Sequence, residues 1–280
     1  MASFTNQATL RFQGSVIRSN TVTGEMVLGV SISKTSVESA YAPGEQISYL
    51  ISLVNNSTSE FDALTLTDDL GGLPFEGQTV YPLAYVAGSA KLFVNGVPQE
   101  VSVEAGPPLS ISGIRLPAQG NAILVYDAAV TAYAQPTAGG EIVNTVTMSG
   151  TTLPETLSAQ WTLPVLEQPA LEIWKEVSPA SVQPGETLSY RFTLRNSGNE
   201  IADTTLVLAD VFQPALQNLV VTLDGAALTA VTDYTYDPDS GAFETVAGVL
   251  SVAAAESSQT TGGAWQTTPS EQVLTVTGTV

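Results

Sequence analysis

The chain contains the same spaced pattern of residues twice, and this repeat limits its fold more than any other feature. The first copy comprises Lys34, Pro43-Gly44-Glu45, Tyr49 and Asn55, and the second comprises Lys175, Pro184-Gly185-Glu186, Tyr190 and Asn196. Each residue of the first copy lies 141 positions before its counterpart. An internal period of this length indicates two copies of one domain and not a solenoid of short repeats.

Both copies have the pattern of antiparallel β-structure. Apolar residues alternate with other residues along short segments, as in Leu64-x-Leu66-x-Asp68 and Leu206-x-Leu208-x-Asp210, and a period of two is typical of strands with one buried face. Asn95-Gly96 and Asp224-Gly225 favour two-residue hairpin turns. No segment has a helical period. We therefore expect an all-β fold: two tandem Ig-like antiparallel β-sandwich domains with an extra N-terminal strand or hairpin.

The repeat divides the chain into three parts. Residues 1–26 lie outside both copies, residues 27–165 form repeat 1, and residues 166–280 form repeat 2. We expect residues 142–148 and 272–278 to be the matching final strands of the two repeats, because both have alternating apolar residues before the end of their copy.

The N-terminal segment 1–26 resembles the end of a preceding repeat. Asn6-Gln-Ala-Thr-Leu10 and Asn20-Thr-Val-Thr23 both echo Asn144-Thr-Val-Thr147. Phe4, Asn6, Ala8, Leu10 and Phe12 share one face of a predicted strand. We expect the segment either to fold back and complete a sheet of repeat 1, or to pair with a sheet edge of a neighbouring molecule.

Composition excludes several classes of function. The chain has 280 residues, a net charge of −19 and only 8 Lys and Arg residues, so we expect no binding to nucleic acid. No apolar run approaches the ~20 residues that cross a membrane, and we expect no membrane insertion. Histidine and cysteine are absent, which excludes His-based catalytic triads, Cys/His zinc sites and disulfides. The first residues have no signal-peptide pattern.

At the repeated motifs the chain resembles a known family. A lysine, then Pro-Gly-Glu-x-x-x-Tyr, an asparagine, Leu-Thr-Asp and Asn-Thr-Val-Thr are similar to a conserved repeat, a "domain of unknown function", found in tandem in bacterial and archaeal surface proteins. The pattern also resembles the Ig-like domains of Gram-positive pilins and adhesins, and it covers most of residues 27–280. The resemblance implies a location at the cell surface or outside the cell. It also implies an isopeptide bond between a first-strand lysine and a last-strand asparagine, promoted by a buried acid.

Strand parity places candidates for such a bond in repeat 1. Lys34, Asp68 and Asn144 each share the parity of the apolar residues on their strands, so all three side chains are expected to point into the core. Burial disfavours both charges and leaves a neutral amine beside a protonated acid. Asp68 is thus the candidate catalytic acid, and Lys34 and Asn144 are the candidate crosslinked residues. Asp69 is an alternative acid, although its parity is wrong, and Asn6 is an alternative acceptor.

Two further interpretations belong beside this one, the first for repeat 1 and the second for repeat 2. Lys34 can instead reach solvent from a strand end, with Asp68 in a turn and Asn144 bonded to backbone. In repeat 2, Lys175 and Asp210 keep the inward parity, but Leu274 stands where the alignment expects the asparagine. We therefore expect a buried Lys175–Asp210 ion pair there, with a partly solvated lysine as the alternative, and no covalent bond.

Three other motifs are weaker. Leu153-Pro-Glu-Thr156 begins like a sortase signal but continues with Leu157, so we expect an ordinary loop. The acidic run from Asp233 to Gly241 resembles a calcium loop without its terminal bidentate Glu, and we expect a hairpin turn, with no metal or other cofactor. Several aromatic side chains can stack on sugars but are expected to pack in the core; they are Tyr81, Tyr85, Trp161, Trp174 and Trp265.

The function that these observations favour is a non-enzymatic structural module of a bacterial surface or filament-like assembly, with self-association or other surface proteins as partners. An adhesin that binds glycan or protein through the insertion Gly71–Ala90 is the alternative. A glycosidase needs two carboxylates facing one cleft, and no spacing among the 27 acidic residues singles out a pair.

Overall fold

A computed structural model describes residues 2–26 and 29–280, and it confirms the all-β fold. All regular secondary structure in these residues is β-strand, and the strands pair antiparallel. No helix long and apolar enough to cross a membrane occurs in the described part of the chain. The sheets form within three stretches of sequence, residues 2–26, 30–164 and 171–279.

Residues 2–26 form one long β-hairpin, which we call the N-terminal ribbon. Its strands are β1 (Ala2–Asn6), β2 (Thr9–Phe12), β3 (Ser15–Arg18) and β4 (Val22–Met26). Strand β1 pairs with β4, and β2 pairs with β3. The turn is made by Gln13 and Gly14, which both have positive φ, as a two-residue hairpin requires. None of its described strands pairs with a strand of repeat 1, so the ribbon does not complete that domain's sheet.

Repeat 1 is a sandwich of two sheets. Its strands are β5 (Val30–Ser36), β6 (Gln46–Asn55), β7 (Phe61–Asp68), β8 (Leu73–Phe75), β9 (Gln78–Val80), β10 (Leu83–Tyr85), β11 (Lys91–Val94), β12 (Val97–Gln99), β13 (Ser102–Glu104), β14 (Leu109–Leu116), β15 (Asn121–Val130), β16 (Glu141–Ser149) and β17 (Leu157–Pro164). One sheet has the order β12-β11-β15-β6-β5, with β10 beside β15. The other has the order β13-β14-β7-β16-β17.

Alternation of side chains builds the core of repeat 1 between these sheets. Along β6, Ile47, Tyr49, Ile51 and Leu53 are buried while their neighbours are partly exposed. The facing strands β7 and β16 alternate in the same way. Burial of apolar surface on this scale is the main stabilising term for such a domain.

Repeat 2 reproduces only one of these sheets in full. Its strands are β18 (Leu171–Ser178), β19 (Thr187–Asn196), β20 (Ala209–Val211), β21 (Gln217–Leu223), β22 (Ala226–Ala227), β23 (Tyr234–Tyr236), β24 (Ala242–Thr245), β25 (Glu256–Gln259), β26 (Trp265–Thr268) and β27 (Ser270–Thr279). The order β18-β19-β27-β21-β22 matches β5-β6-β15-β11-β12 of repeat 1. The opposing sheet is the shorter β20-β24-β23.

The expected equivalence of residues 142–148 and 272–278 is therefore wrong. Strand β27 pairs with β19 as β15 pairs with β6, whereas β16 pairs with β7 and β17 in the opposite sheet. Leu274 thus corresponds to Leu124, and it has no relation to Asn144. Both segments alternate apolar residues, and that pattern identifies a buried face without identifying the neighbouring strand.

Repeat 2, as described through Val280, has no strand in the positions of β16 and β17. As a result β20 is an edge strand, whereas its counterpart β7 lies between β14 and β16; β18, like β5, ends its own sheet. Between β18 and residues 206–209 lies a groove of about 290 Å³, lined by Leu171, Ile173, Leu206 and Leu208. We call it the open groove. The two repeats therefore match in one sheet and differ in the other.

The repeated asparagine organises the same loop in each repeat. Asn55 is fully buried; its Nδ2 donates to the carbonyls of Ser59 and Pro117, and its Oδ1 accepts from the Ser57 amide. Asn196 is also fully buried, with Nδ2 bonded to the carbonyls of Glu200 and Ala253. The repeat thus conserves a buried amide that replaces missing backbone partners.

The two repeats contact each other at one end of repeat 1. Asn199 of repeat 2 donates at 3.0 Å to the carbonyl of Pro136 in repeat 1, and also at 3.0 Å to that of Leu166, the first residue of its own repeat. The Trp265 amide donates to the Ala132 carbonyl at 2.7 Å. The insertion Gly71–Ala90 also reaches this junction, because Gln78 Nε2 donates to the Gly262 carbonyl at 3.4 Å. The hairpin β25–β26 and this insertion therefore link the repeats alongside the peptide linker.

Replacing the buried Asn55 with alanine should destabilise repeat 1. The Asn55→Ala variant leaves the carbonyls and the amide of this loop without their side-chain partner, which lowers the free energy of unfolding by about 3 kcal/mol. The neighbouring Asn56→Ala is a matched control, because Asn56 is exposed and its loss should change stability by less than about 0.5 kcal/mol. Urea unfolding curves compare the two; equal midpoints would contradict the role given to Asn55.

Candidate functional site

Lys34 is buried in the core of repeat 1. It lies on β5, with its side chain 0% exposed and its Nζ 2.5 Å from Asp68 Oδ2. The ring of Tyr49 lies beneath the ammonium, with its centroid 4.9 Å from Nζ. The inward parity expected from the sequence places Lys34 and Asp68 together in the space between the two sheets.

Tyr126 and Asn144 complete this cluster. The Tyr126 hydroxyl donates to Asp68 Oδ2 at 2.6 Å. Asn144 Nδ2 donates to the Tyr126 oxygen at 3.3 Å, and Asn144 is fully buried. The ladder of β16 and β7 positions the asparagine, because Val146 pairs directly with Asp68 two residues further along. Lys34, Asp68, Tyr126 and Asn144 therefore form one connected group of buried polar side chains.

Two buried polar atoms of the cluster lack a hydrogen-bond partner among the described residues. They are Asn144 Oδ1 and the Tyr49 hydroxyl. An unpaired amide oxygen in a protein core costs stability. It also leaves the carbonyl of Asn144 available to a proton donor.

Burial changes the acid–base properties of the cluster. Loss of solvent lowers the pKa of the Lys34 ammonium, and the Asp68 carboxylate opposes that effect. Burial and the charge of Asp68 raise the pKa of Tyr126 well above its usual value, so its hydroxyl stays protonated and keeps donating to Asp68. The site thus favours a neutral, nucleophilic lysine amine more than an exposed lysine does.

The alternative residues from the sequence lie elsewhere. Asp69 Oδ1 accepts from the amides of Gly71 and Thr145, so it holds the turn after β7 and the adjacent strand β16. Asn6 lies on the exposed N-terminal ribbon, outside the core of repeat 1. Asp68 and Asn144 are therefore the acid and the amide that accompany Lys34.

Repeat 2 keeps part of this arrangement, but there the lysine and the aspartate are partly exposed to solvent. Lys175 Nζ contacts Asp210 Oδ2, but the two side chains are 40% and 20% exposed. The ring of Tyr190 lies under Nζ at 4.5 Å, as Tyr49 does in repeat 1. Lys175 and Asp210 thus form an ion pair, and its lysine is partly solvated and not buried.

The other sequence motifs have structural explanations. Asp237 organises its own turn, accepting from the Asp239 amide and the Ser240 hydroxyl, and these bonds lower its pKa. The described residues contain no cluster of three or more acidic side chains arranged for a metal. Leu153 of the sortase-like motif packs against the core.

The aromatic side chains mostly serve packing. Tyr81, Tyr85 and Trp161 lie against the core of repeat 1, and Trp265 lies at the junction of the repeats, where its amide bonds to Ala132. Trp174 is exposed, with the Arg195 guanidinium 5.8 Å from its ring. No row of exposed rings suited to a sugar chain results from these positions.

Sequence reasoning missed Tyr126. It follows Leu124 at inward parity on β15 and looks like an ordinary core aromatic. Its hydroxyl could have identified it as a member of the site, because a buried tyrosine hydroxyl normally needs a polar partner. The inward-facing Asp68 offers such a partner.

Comparisons with known proteins concern the fold. No protein-family model matches the sequence, and no curated protein matches it. Among solved structures, the chain is similar to the major pilin subunit BcpA of Bacillus cereus, with 12% identity over 96% of this chain and 73% of that one and a TM-score of 0.37. It is also similar to the pilus backbone RrgB of Streptococcus pneumoniae, with 12% identity, 86% and 49% coverage and a TM-score of 0.37.

A third similar structure is the collagen-binding domain of a Staphylococcus aureus adhesin, with 13% identity over 50% of this chain and 99% of that one and a TM-score of 0.31. The chain spans about half the length of RrgB.

The two tyrosines of the site should respond differently to loss of their hydroxyls. Tyr126→Phe removes a donor to Asp68 and an acceptor for Asn144, and we expect a loss of about 2 kcal/mol in the free energy of unfolding. Tyr49→Phe removes a hydroxyl without a partner, and we expect a change below about 0.5 kcal/mol or a small gain. Chemical denaturation measures both; a larger loss for Tyr49→Phe would contradict the hydrogen-bond assignment.

Proposed function

We propose that the chain is a non-enzymatic structural module of a bacterial surface or filament-like assembly, and that repeat 1 is locked by an intramolecular isopeptide bond between Lys34 and Asn144. The observation that carries this proposal is the buried contact of Lys34 with Asp68, connected through Tyr126 to Asn144. A covalent bond between two strands of one domain resists mechanical and thermal unfolding. Such resistance suits a load-bearing chain.

The chemistry requires only groups that the cluster contains. The neutral Lys34 Nζ attacks Asn144 Cγ, and protonated Asp68 donates a proton to the amide oxygen as the new C–N bond forms. Collapse of the intermediate breaks the Cγ–Nδ2 bond and releases ammonia. The proton that leaves Nζ goes to the departing nitrogen by way of Asp68, and the proton on the oxygen returns to Asp68 as the amide carbonyl re-forms. Atoms balance without a cofactor, and the reaction occurs once per molecule, so there is no turnover.

Two features of the cluster support this proposal. Burial favours the neutral amine of Lys34, which is the nucleophilic form. Asn144 Oδ1 has no partner among the described residues, so it is free to receive the proton of Asp68. Tyr126 is a positioning residue here, since its hydroxyl contacts both the acid and the amide nitrogen.

The second candidate function is adhesion, and one surface favours it. A groove of about 580 Å³ lies between the end of the insertion and strands β11 to β13, with Tyr85, Lys91, Phe93 and Glu100 among its lining residues. Its size and mixture of apolar and charged groups suit a small ligand or peptide. The tip of the insertion lies instead at the junction between the repeats, so the proposed ligand contact is limited to this groove.

The mass of the purified chain tests the covalent lock. We expect the intact mass to fall short of the sequence mass by one ammonia. Asn144→Ala and Asp68→Ala should restore the full mass and lower resistance to heat and protease. A peptide joining the segments around Lys34 and Asn144 should appear in digests of the unmodified protein.

Repeat 2 supplies the matched control. Asp210→Ala changes the corresponding acid of an exposed pair, and it should leave the one-ammonia deficit intact. A full sequence mass for the unmodified chain would rule out the isopeptide bond. A deficit that persists in Asn144→Ala would mean that another pair of residues reacts.

A further inference from the structure

Repeat 2 contains a hairpin, β25–β26, at a place where repeat 1 has only a short loop. The hairpin lies within residues 253–269, which lead into β27. The corresponding connection of repeat 1 is residues 117–119. The side chains of Asn55 and Asn196 bond to the first carbonyl of each connection, and their backbones pair with the residue that follows it. A sandwich of this kind can therefore make the connection without the hairpin.

Repeat 1 in turn contains a hairpin, β8–β9, within the insertion Gly71–Ala90. It is a separate two-stranded sheet with three residues in each strand. In repeat 2 only residues 212–216 connect the corresponding strands β20 and β21. The hairpin β25–β26 is also a two-stranded sheet of its own. Because a two-stranded hairpin is marginally stable by itself in water, each of these two hairpins needs contacts with another part of the chain.

The turns of the two hairpins pack against each other. Phe75, at the end of β8, lies against the backbone of Gly263, where an added Cβ would be 2.8 Å from the ring. Gly263 is buried, and Gln78 donates to the carbonyl of the neighbouring Gly262. Glycine at position 263 leaves room for the ring and also permits the φ of +84° found there. The two extra hairpins thus supply each other's missing contacts.

This contact lies to one side of the peptide linker. The linker leaves repeat 1 beside β5, where the Leu166 amide donates to the Tyr41 carbonyl. The Trp265 amide of β26 donates to the carbonyl of Ala132, just beyond the end of β15. Strand β15 lies two strands from β5 in its sheet, which is about 10 Å at ~4.8 Å between neighbouring strands. Bending at the linker therefore has to break a contact well away from the pivot.

We propose that hairpins β8–β9 and β25–β26 form a brace that holds the two repeats at one fixed angle. Domains joined by a linker alone move relative to each other. Here the linker is one point of attachment, the Trp265–Ala132 bond is a second, and the packing of Phe75 on Gly263 is a third. Three separate points fix an orientation that a single point leaves free.

The brace goes beyond the proposed covalent lock, because the two resist different motions. The lock joins two strands within repeat 1 and opposes the unfolding of that domain. A locked domain on a free linker still bends against its neighbour. The brace opposes this bending, at a place where a bond between Lys34 and Asn144 has no effect.

Spin labels measure the angle directly, because the chain has no cysteine of its own. Ser31→Cys on β5 and Val220→Cys on β21 place one label at an exposed position of each repeat, outside both hairpins. We expect pulsed electron paramagnetic resonance to give a single narrow distribution of the distance between the labels. A broad distribution, or several distances, in this chain with intact hairpins would contradict the fixed angle.

Removing one hairpin should free the angle. In the first variant Pro-Ala-Gln, the sequence of residues 117–119, replaces residues 253–269, so repeat 2 receives the connection that repeat 1 uses. We expect this variant to keep its β-structure by circular dichroism and to widen the distance distribution at least twofold. Gly263→Ala is a smaller change, and it should widen the distribution in the same way because its methyl group meets the ring of Phe75.

Gly248→Ala is the matched control for Gly263→Ala. Gly248 has a φ of +86°, and the nearest atom to an added Cβ there is the Thr204 oxygen at 4.0 Å. The two variants therefore share the backbone strain and differ in the clash with Phe75. Gly248→Ala should keep the narrow distribution. Equal widths for the two variants, or an unchanged width in the chain without β25–β26, would overturn the brace.

The intact mass of the same chains before labelling separates this failure from failure of the proposed function. A one-ammonia deficit in a chain with a broad distribution would keep the locked module and reject the brace. A full sequence mass in a chain whose narrow distribution widens in the variants would do the reverse.

Discussion

The burial of Lys34 depends on one hairpin, β16–β17, and the chemistry of the site follows from that burial. Both repeats place a lysine, an aspartate and a tyrosine ring in the same relation. The lysine side chain is fully buried only in repeat 1, where this hairpin covers it. Removing water from an ammonium costs several kcal/mol unless its charge is paired or lost. The same three groups are thus a solvated ion pair in one repeat and a reactive cluster in the other.

The cost of burying these groups explains why the cluster is larger than an ion pair. Asp68 accepts from Lys34 and from Tyr126 at the same oxygen, and its other oxygen accepts from the Leu70 amide. These bonds satisfy the carboxyl group almost completely. Asn144 remains the under-satisfied member, with one donor bond and a bare carbonyl oxygen. The least stabilised group is therefore the one that the proposed reaction converts.

Much of this arrangement could be predicted from the sequence. A period of two assigns each residue to a face, and it placed Lys34 and Asp68 inward as the structure has them. The repeated Pro-Gly-Glu and asparagine residues identified turns and loops, because their effects on the backbone are local. Glycine permits positive φ, and the glutamate and asparagine side chains bond to nearby backbone groups. In both turns the glycine has positive φ and the glutamate accepts from a nearby amide.

What could not be predicted was which strands become neighbours. Residues 142–148 and 272–278 have the same alternation, yet one lies in each type of sheet. Strand pairing is decided by contacts between distant segments, and the local pattern contains no information on them. The same limit hid the exposure of Lys175, since its parity is inward while the strands that would cover it are missing from the described repeat. Tyr126 was missed because its role depends on Asp68, 58 residues away.

Hairpin β16–β17 both closes repeat 1 and connects it to repeat 2. Hairpin β16–β17 comes directly before β18, the first strand of repeat 2, and the N-terminal ribbon comes directly before β5, the first strand of repeat 1. Each hairpin therefore precedes a first strand by a short linker. Hairpin β16–β17 covers the core formed by the strands that come before it in the chain. The chain then passes directly from this hairpin into repeat 2. The hairpin that buries Lys34 is therefore also the segment of chain that leads into repeat 2.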